Sequence, residues 1–289
     1  MGKVLAGGYR ANKMTRFVVS LLAAMSMALS VSAQEWGQVS TPAPGPTQSI
    51  GFYTAGCLQG AQALPLDGPG YEAIRISRNR YWGQPVTLDF VKRFSEQVRA
   101  AGQAPLYIGD IGQPRGGPAP SGHASHQTGL DVDIWFERQP GARRAPADRE
   151  NPRLRSLVRA ADDGIDDAVF TDQHVALLRL AATSPGVDRI FANKWIKQRL
   201  CQSVTGNRSW LNKLVVWVGH DEHFHVRMHC PPGNPQCQAQ AGYYADDGCG
   251  EQLDIWFTRP PVRLPPPGTP QPPYRPKLPA ACLAILNAP

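Results

Sequence analysis

The sequence predicts an α+β chain, and three observations carry that expectation. Between Thr87 and Ala101 the apolar residues Leu88, Val91, Phe94 and Val98 recur at helical spacing. From Leu130 to Phe136, and again from His223 to Met228, strict alternation takes over, the period of 2 that an extended strand imposes. The length, 289 residues, leaves room for one sizeable core or two small domains once a leader is removed.

That leader is residues 1–33. Lys13 and Arg16 precede an apolar run from Phe17 to Val31, and Val31-Ser32-Ala33 is a small-x-small cleavage site. The run is shorter than the ~20 residues that a membrane span needs, so export is expected rather than anchoring, with no transmembrane segment in the mature chain. Met1 and Met14 are both possible starts, because Lys13 to Arg16 already make a basic n-region. Residues 34–289 are then one expected domain, opening on a Pro/Ser/Thr/Gly-rich extended lead-in over residues 34–50.

Next in order, Thr87 is placed as the cap of the first helix, and Gly102 ends it. Leu106 to Ile108 is a short strand, followed by a Gly/Pro-rich loop over residues 109–122. In the strand Leu130 to Phe136, Leu130, Val132 and Ile134 take one face and Asp131 and Asp133 the other. Helices are predicted over residues 152–161, 170–182 and 187–200. Leu214 to Val218 is another strand. In the last strand His223, His225 and Arg227 share a face, opposite Phe224, Val226 and Met228. Leu253 to Trp256 echoes the Leu130 to Trp135 stretch, too briefly for a duplicated domain. The tail from Pro260 to Pro279 carries ten prolines and cannot form regular core structure. Cys282 beyond it suggests that the tail is pinned to the body.

Composition narrows the function classes. The formal charge of +7 is spread along the chain without a lysine tract, which argues against nucleic acid and is compatible with an anionic polymer such as a cell wall. Six cysteines, none in the leader and none in a C-x-x-C pair, favour disulfides in an exported chain, with 15 possible pairings. The spacing of Cys230 and Cys237 suits a small closed loop.

Chemistry concentrates in two stretches that hold five of the seven histidines: His123 to Asp133, and His220 to Arg227. His126, Asp133 and His225 supply two imidazoles and a carboxylate, a set that holds a zinc ion with one position open. Asp131 shares the face of Asp133 and is placed either as an orienter of a ligand histidine or as a solvated side chain. His220 and His223 remain to act on water, and an unperturbed imidazole pKa near ~6.5 suits a general base at neutral pH. His174 is assigned to a helix surface, and His229, out of phase with His223 and His225, points away from the site. Neither H-E-x-x-H nor H-x-x-E-H occurs, nor do the serine signatures G-x-S-x-G and S-x-x-K.

At these residues the chain resembles the penicillin-insensitive murein endopeptidases, of the group that also holds lysostaphin-type and D-Ala-D-Ala metallopeptidases. Gly122-His123-Ala124-Ser125-His126-Gln127-Thr128-Gly129-Leu130-Asp131-Val132-Asp133-Ile134 is similar to the family's first signature, and His220-Asp221-Glu222-His223-Phe224-His225-Val226-Arg227 to its second. The similarity takes in Ser49-Ile50-Gly51, Tyr107-Ile108-Gly109-Asp110 and the cysteines. The resemblance implies zinc ligands at His126, Asp133 and His225, nonligand active-site histidines at His220 and His223, and a further histidine nearby at His123. It implies the disulfides Cys57 with Cys282, Cys201 with Cys249, and Cys230 with Cys237. It also implies a small antiparallel sheet carrying the site, among helices and long disulfide-pinned loops. The implied activity is periplasmic hydrolysis of peptidoglycan cross-links, chiefly the bond from D-alanine to the side-chain amine of meso-diaminopimelate. A zinc D,D-carboxypeptidase or dipeptidase on the same polymer is the alternative enzyme, and a noncatalytic wall-binding zinc protein the alternative of another class.

Overall fold

A seven-stranded sheet forms the body of the protein, in a computed structural model that describes residues 33–120, 123–138, 141–242, 244–260 and 274–289. The leader up to Ser32 and most of the proline-rich tail lie outside the described residues. In chain order the strands are β1 (Gln48–Phe52), β2 (Ala55–Gln59), β3 (Gln62–Ala63), β4 (Asp67–Gly68), β5 (Tyr71–Ala73), β6 (Trp82–Gly83), β7 (Leu106–Ile108), β8 (Asp131–Arg138), β9 (Val187–Ala192), β10 (Leu214–Val216) and β11 (His223–Met228). The helices are α1 (Ala33–Gln38), α2 (Pro85–Ala100), α3 (Asp172–Thr183), α4 (Lys194–Ser203), α5 (Glu251–Thr258) and α6 (Ala281–Leu286). None of the described helices is long and apolar enough to cross a membrane.

The main sheet runs β10-β9-β11-β8-β7-β5-β4. Its central strands β9, β11, β8 and β7 pair antiparallel, whereas β10 joins β9 and β5 joins β7 in parallel. The pleat sorts the side chains. Val132, Ile134 and Phe136 of β8 and Phe224, Val226 and Met228 of β11 join one apolar cluster with Phe90, Val91, Phe94 and Val98 of α2 and Leu177, Leu178 and Ala181 of α3. Phe224 anchors it, its ring centroid 5.3 Å from that of Phe136 and 6.4 Å from that of Phe94. Burying each such side chain contributes roughly 1.5–3 kcal/mol. The opposite face, carrying Asp131, Asp133, His223, His225 and Arg227, lies under the loop that precedes β8. That strand is buried on both faces from Asp131 to Phe136, so its polar side looks into a site and not into solvent.

Several sequence expectations change. Thr87 lies inside α2 rather than capping it: Gln84 is the N-cap and Pro85 opens the helix, while Thr87 is buried and donates to the Gly129 carbonyl at 2.8 Å. Gly102 does end that helix, at a φ of 72°. Residues 187–200 divide into β9 and α4, because the β-branched and aromatic run through Phe191 pairs with β11. Asn193 then caps the helix by accepting from the Trp195 amide at 2.9 Å. Residues 152–161 contain no helix. The Leu157 amide instead donates to the Asp221 carbonyl at 2.9 Å, which lays the segment along the loop of the second histidine stretch. The lead-in begins with α1, held by the buried Trp36. Leu253 to Trp256 is helical where its echo at Leu130 is strand, so the likeness is one of letters only.

Three disulfides join Cys57 to Cys282, Cys201 to Cys249 and Cys230 to Cys237. The first packs with Trp36, Ile50 and Ile285 in a second apolar cluster. Arg115 reinforces it by donating to the carbonyls of Ile285, Leu286, Ala288 and Pro289. Arg115 belongs to the loop between β7 and β8, so the C-terminal helix is clamped to the segment that leads into the first histidines.

Candidate metal centre

Cross-strand register builds the centre. Asp133 on β8 stands opposite His225 on β11, Trp135 opposite His223, and Asp131 opposite Arg227. His126 arrives from the preceding loop, which reverses at Gly129 with a φ of 69°. A Cβ there would fall 3.0 Å from both the Gln84 nitrogen and the Gly83 Cα, so the close approach requires glycine. The Gln127 side chain ties the loop down by donating to the Thr54 and Ala124 carbonyls and accepting from the Gly56 amide. His126 and His220 both have positive φ, 66° and 56°, a strained backbone for residues that carry a Cβ.

Neighbouring acceptors fix the tautomers. His126 Nδ1 lies 3.1 Å from the Ile111 carbonyl, which can only accept, so Nδ1 carries the proton and Nε2 presents a lone pair. The Asp131 carboxylate sits 2.8 Å from His225 Nε2, which leaves the lone pair of that ring on Nδ1. His220 Nδ1 donates to the Val218 carbonyl at 2.9 Å, freeing its Nε2. Asp133 Oδ1 then lies 3.4 Å from His126 Nε2, 3.3 Å from His225 Nδ1 and 3.7 Å from His223 Nε2, while Oδ2 is 3.1 Å from His123 Nε2. Asp131 is buried, not solvated. It accepts from His225, from Arg227 Nε at 2.7 Å and from the His126 amide at 3.1 Å.

Electrostatics follow from burial and these charges. Asp133 pays for burial, but His123, His126 and His223 outweigh that and hold its pKa well below the usual range. For Asp131 the balance is tipped the same way by Arg227 and His225. Burial opposes charge on His126, yet Asp133, Asp131 and Asp110 raise it to about 9, so without a metal Nε2 also carries a proton at pH 7, one that a cation must displace to reach the lone pair. His223 goes the other way: burial lowers it to about 4, against the pull of Asp133. Burial, with His223 and His225, also lowers His220 well below 6.5. Neither ring keeps the unperturbed value near ~6.5: in the metal-free protein both are neutral at pH 7.

A cation fits this arrangement. Among the described residues His126 Nε2, Asp133 Oδ1, His220 Nε2 and His223 Nε2 are buried without a hydrogen-bond partner, a costly set to leave unsatisfied. Ligand atoms of His123, His126, Asp133 and His225 all lie within 4.8 Å of one another, and those of His123, His220 and His223 do likewise. Two imidazoles and a carboxylate suit a divalent transition metal with a position left open, and His123 adds a fourth donor at the rim.

All seven candidate residues therefore meet. His229 is exposed and turned toward Asp188, as its phase requires. His174 differs from the surface residue expected. It closes a capping box with Thr171 at the start of α3 and is half-buried, and burial lowers its pKa to about 4. Trp135 joins the candidate residues without having been singled out in the sequence, its ring 4.7 Å from that of His223. Period 2 from Asp133 would have found it. Arg227, placed by the sequence on the histidine face, is in addition the charge partner of Asp131, and the Ile111 carbonyl has no signature in sequence. A groove of about 960 Å³ opens beside His220, bordered by Val218, Gly219, Trp217, Trp256, Asn193 and Asp221.

Residues 49–287 match the family model described as penicillin-insensitive murein endopeptidase. A protein of that name from Klebsiella pneumoniae subsp. pneumoniae is 40% identical over 274 residues, covering 95% of this chain and 98% of the relative. One from Haemophilus influenzae is 41% identical over 272 residues, with 92% and 93% covered, and one from Escherichia coli O157:H7 is 38% identical over 276 residues, with 95% and 98% covered.

Proposed function

We propose that this chain, which belongs to the penicillin-insensitive murein endopeptidase family, is a zinc peptidase that hydrolyses D-alanyl-meso-diaminopimelyl cross-links of peptidoglycan. The observation that carries the proposal is the convergence of three lone pairs, on His126 Nε2, His225 Nδ1 and Asp133 Oδ1, each fixed by a partner on the far side of its side chain or by register. Zinc held by His126, Asp133 and His225 supplies Lewis acidity toward a peptide carbonyl and toward water.

The remaining residues handle protons and position. His123 engages Asp133 Oδ2, which keeps Oδ1 turned to the metal. Asp131 holds the His225 ring by its Nε2 proton and is itself neutralised by Arg227. His223 and His220 are neutral, buried and unneeded as ligands, so each can accept a proton at Nε2 during attack on the carbonyl and return it to the departing amine. An imidazolium at His223 is disfavoured by burial and balanced by Asp133, which makes it a transient acid that gives its proton back. A noncatalytic zinc protein has no use for these two rings. The endopeptidase reading is preferred to the carboxypeptidase one on similarity to the murein endopeptidases along nearly the whole chain.

On this reading residues 1–33 are a signal peptide, residues 34–289 are one peptidase domain that works in the periplasm, and the partner is the cross-link peptide of the wall. The decisive measurement is zinc content together with digestion of purified cross-linked muropeptides, resolved by mass. Asp133→Ala is expected to lose zinc and nearly all turnover. Full zinc content and full activity in that variant would remove Asp133 from the ligand set.

A further inference from the structure

Arg75 has no part in the centre as described, yet its guanidinium stacks on Trp135 at the edge of that centre. Its backbone is left-handed, with a φ of 55°, a conformation that costs a residue with a Cβ of order 1–3 kcal/mol. The Arg75 amide is pinned by donating to the Arg149 carbonyl at 2.9 Å. So placed, the guanidinium carbon sits 4.6 Å from the centroid of the Trp135 ring, and Trp135 is the residue directly across from His223, 4.7 Å away ring to ring. One indole therefore connects this cation to the proposed proton carrier.

The cation is also uncommitted. Among the described residues Arg75 makes no ion pair, although it feels Asp110, Glu222 and Asp133. Asp110 is engaged by Arg80 at 2.9 Å and Arg78 at 3.3 Å, and Glu222 acts on Arg75 without a salt bridge to it. Asp133 is turned to the histidines. Burial, aided by Arg78, lowers the Arg75 pKa from the usual guanidinium range, against the pull of Asp110, Glu222 and Asp133. A guanidinium stacked on an indole keeps its N–H fork free at the edge, the geometry that takes a carboxylate by two parallel hydrogen bonds.

We propose that Arg75, mounted on Trp135 beside His223, is a carboxylate-binding subsite that recognises the carboxylate on the carbon bearing the scissile nitrogen. The inference rests on the cross-link activity proposed above. In that cross-link the D-centre of diaminopimelate carries both the nitrogen acylated by D-alanine and a free carboxylate two bonds from it, so a cation one indole from His223 meets the acceptor side of the bond. Arg75 is then a specificity and positioning residue that distinguishes a cross-link with a free acceptor carboxylate from one in which that group is an amide. Trp135 holds the guanidinium where the desolvated pair is strongest.

The test uses the full mature enzyme loaded with zinc and two cross-linked muropeptide dimers that differ only in whether this carboxylate is free or amidated. Wild type is expected to favour the free form by about 10- to 100-fold in kcat/KM, the usual range for a charge-assisted pair. Arg75→Gln is expected to lose that factor on the free form, chiefly in KM and with zinc content intact, and to erase the preference. Arg75→Lys, which keeps the charge but not the fork, should keep part of it. Equal cleavage of the two dimers by wild type overturns the subsite, and this arm does not depend on any variant folding. A preference that survives in Arg75→Gln overturns it too. A wild-type enzyme that cuts neither dimer refutes the activity itself and the subsite with it.

Discussion

Replacing Asp131 by asparagine separates what holds the centre from what works in it. Asp131 is fully buried and accepts three hydrogen bonds: from His225 Nε2 at 2.8 Å, Arg227 Nε at 2.7 Å and the His126 amide at 3.1 Å. All three partners are donors in the metal-free protein. An asparagine of the same shape offers one oxygen and turns an NH₂ group toward a donor, so at least one contact becomes a repulsion and Arg227 loses its counter-charge. Breaking a buried pair from one side costs about 3–5 kcal/mol of stability. Metal binding should suffer separately, by about 10- to 100-fold, because the His225 ring loses the acceptor that fixes its tautomer. The pKa of Asp131 is held below its unfolded value near ~3.9, so its stabilisation is complete at neutral pH and is lost only as pH falls through the folded value. The deficit of the variant should therefore be constant from pH 5 to 8 and narrow in stronger acid. The assay is denaturant unfolding of the metal-free wild type and variant from pH 8 down into stronger acid, with competitive zinc titration at pH 7. A variant with wild-type midpoint and wild-type zinc affinity would refute the orienting role, and a stability deficit that does not narrow in stronger acid would refute the charge argument.

Other outcomes follow from the same geometry. His220→Ala and His223→Ala should retain zinc and lose at least ~100-fold in muropeptide turnover; near-normal rates in both would leave the centre without a proton carrier. Removing the Cys57–Cys282 bridge, which spans 225 residues, by a double alanine substitution should cost up to about 5 kcal/mol on the chain-entropy account. Zinc content should persist, because no cysteine is a ligand; early loss of metal on reduction would contradict this. For His174 the folded pKa of about 4 lies below the unfolded value near ~6.5, so the unfolded chain binds more protons in that window and stability should fall as pH drops through it. Glutamine can serve the same capping box without titrating. Denaturant midpoints at pH 7 and 5 should therefore differ less in His174→Gln than in wild type, and an undiminished difference would assign the acid loss elsewhere.

Sequence by itself determined the inventory and its phase. The step of 2 residues between same-face side chains is a property of any extended backbone, so His223, His225 and Arg227 had to share a face once that segment was a strand, and Asp131 had to share one with Asp133. It determined less well where strands begin. The run from Val187 to Ala192 has both apolar content and helical spacing, and only pairing with β11 selected the extended form. The disulfide partners were open among 15 pairings on spacing alone, since any closure depends on where distant segments come to lie. Tertiary structure also decided the chemistry of each ring. Which nitrogen holds the proton depends on an Ile111 carbonyl, a Val218 carbonyl and an Asp131 carboxylate, and how readily His223 charges depends on how much water surrounds it. Those are properties of neighbours brought from elsewhere in the chain, and local periodicity carries no record of them.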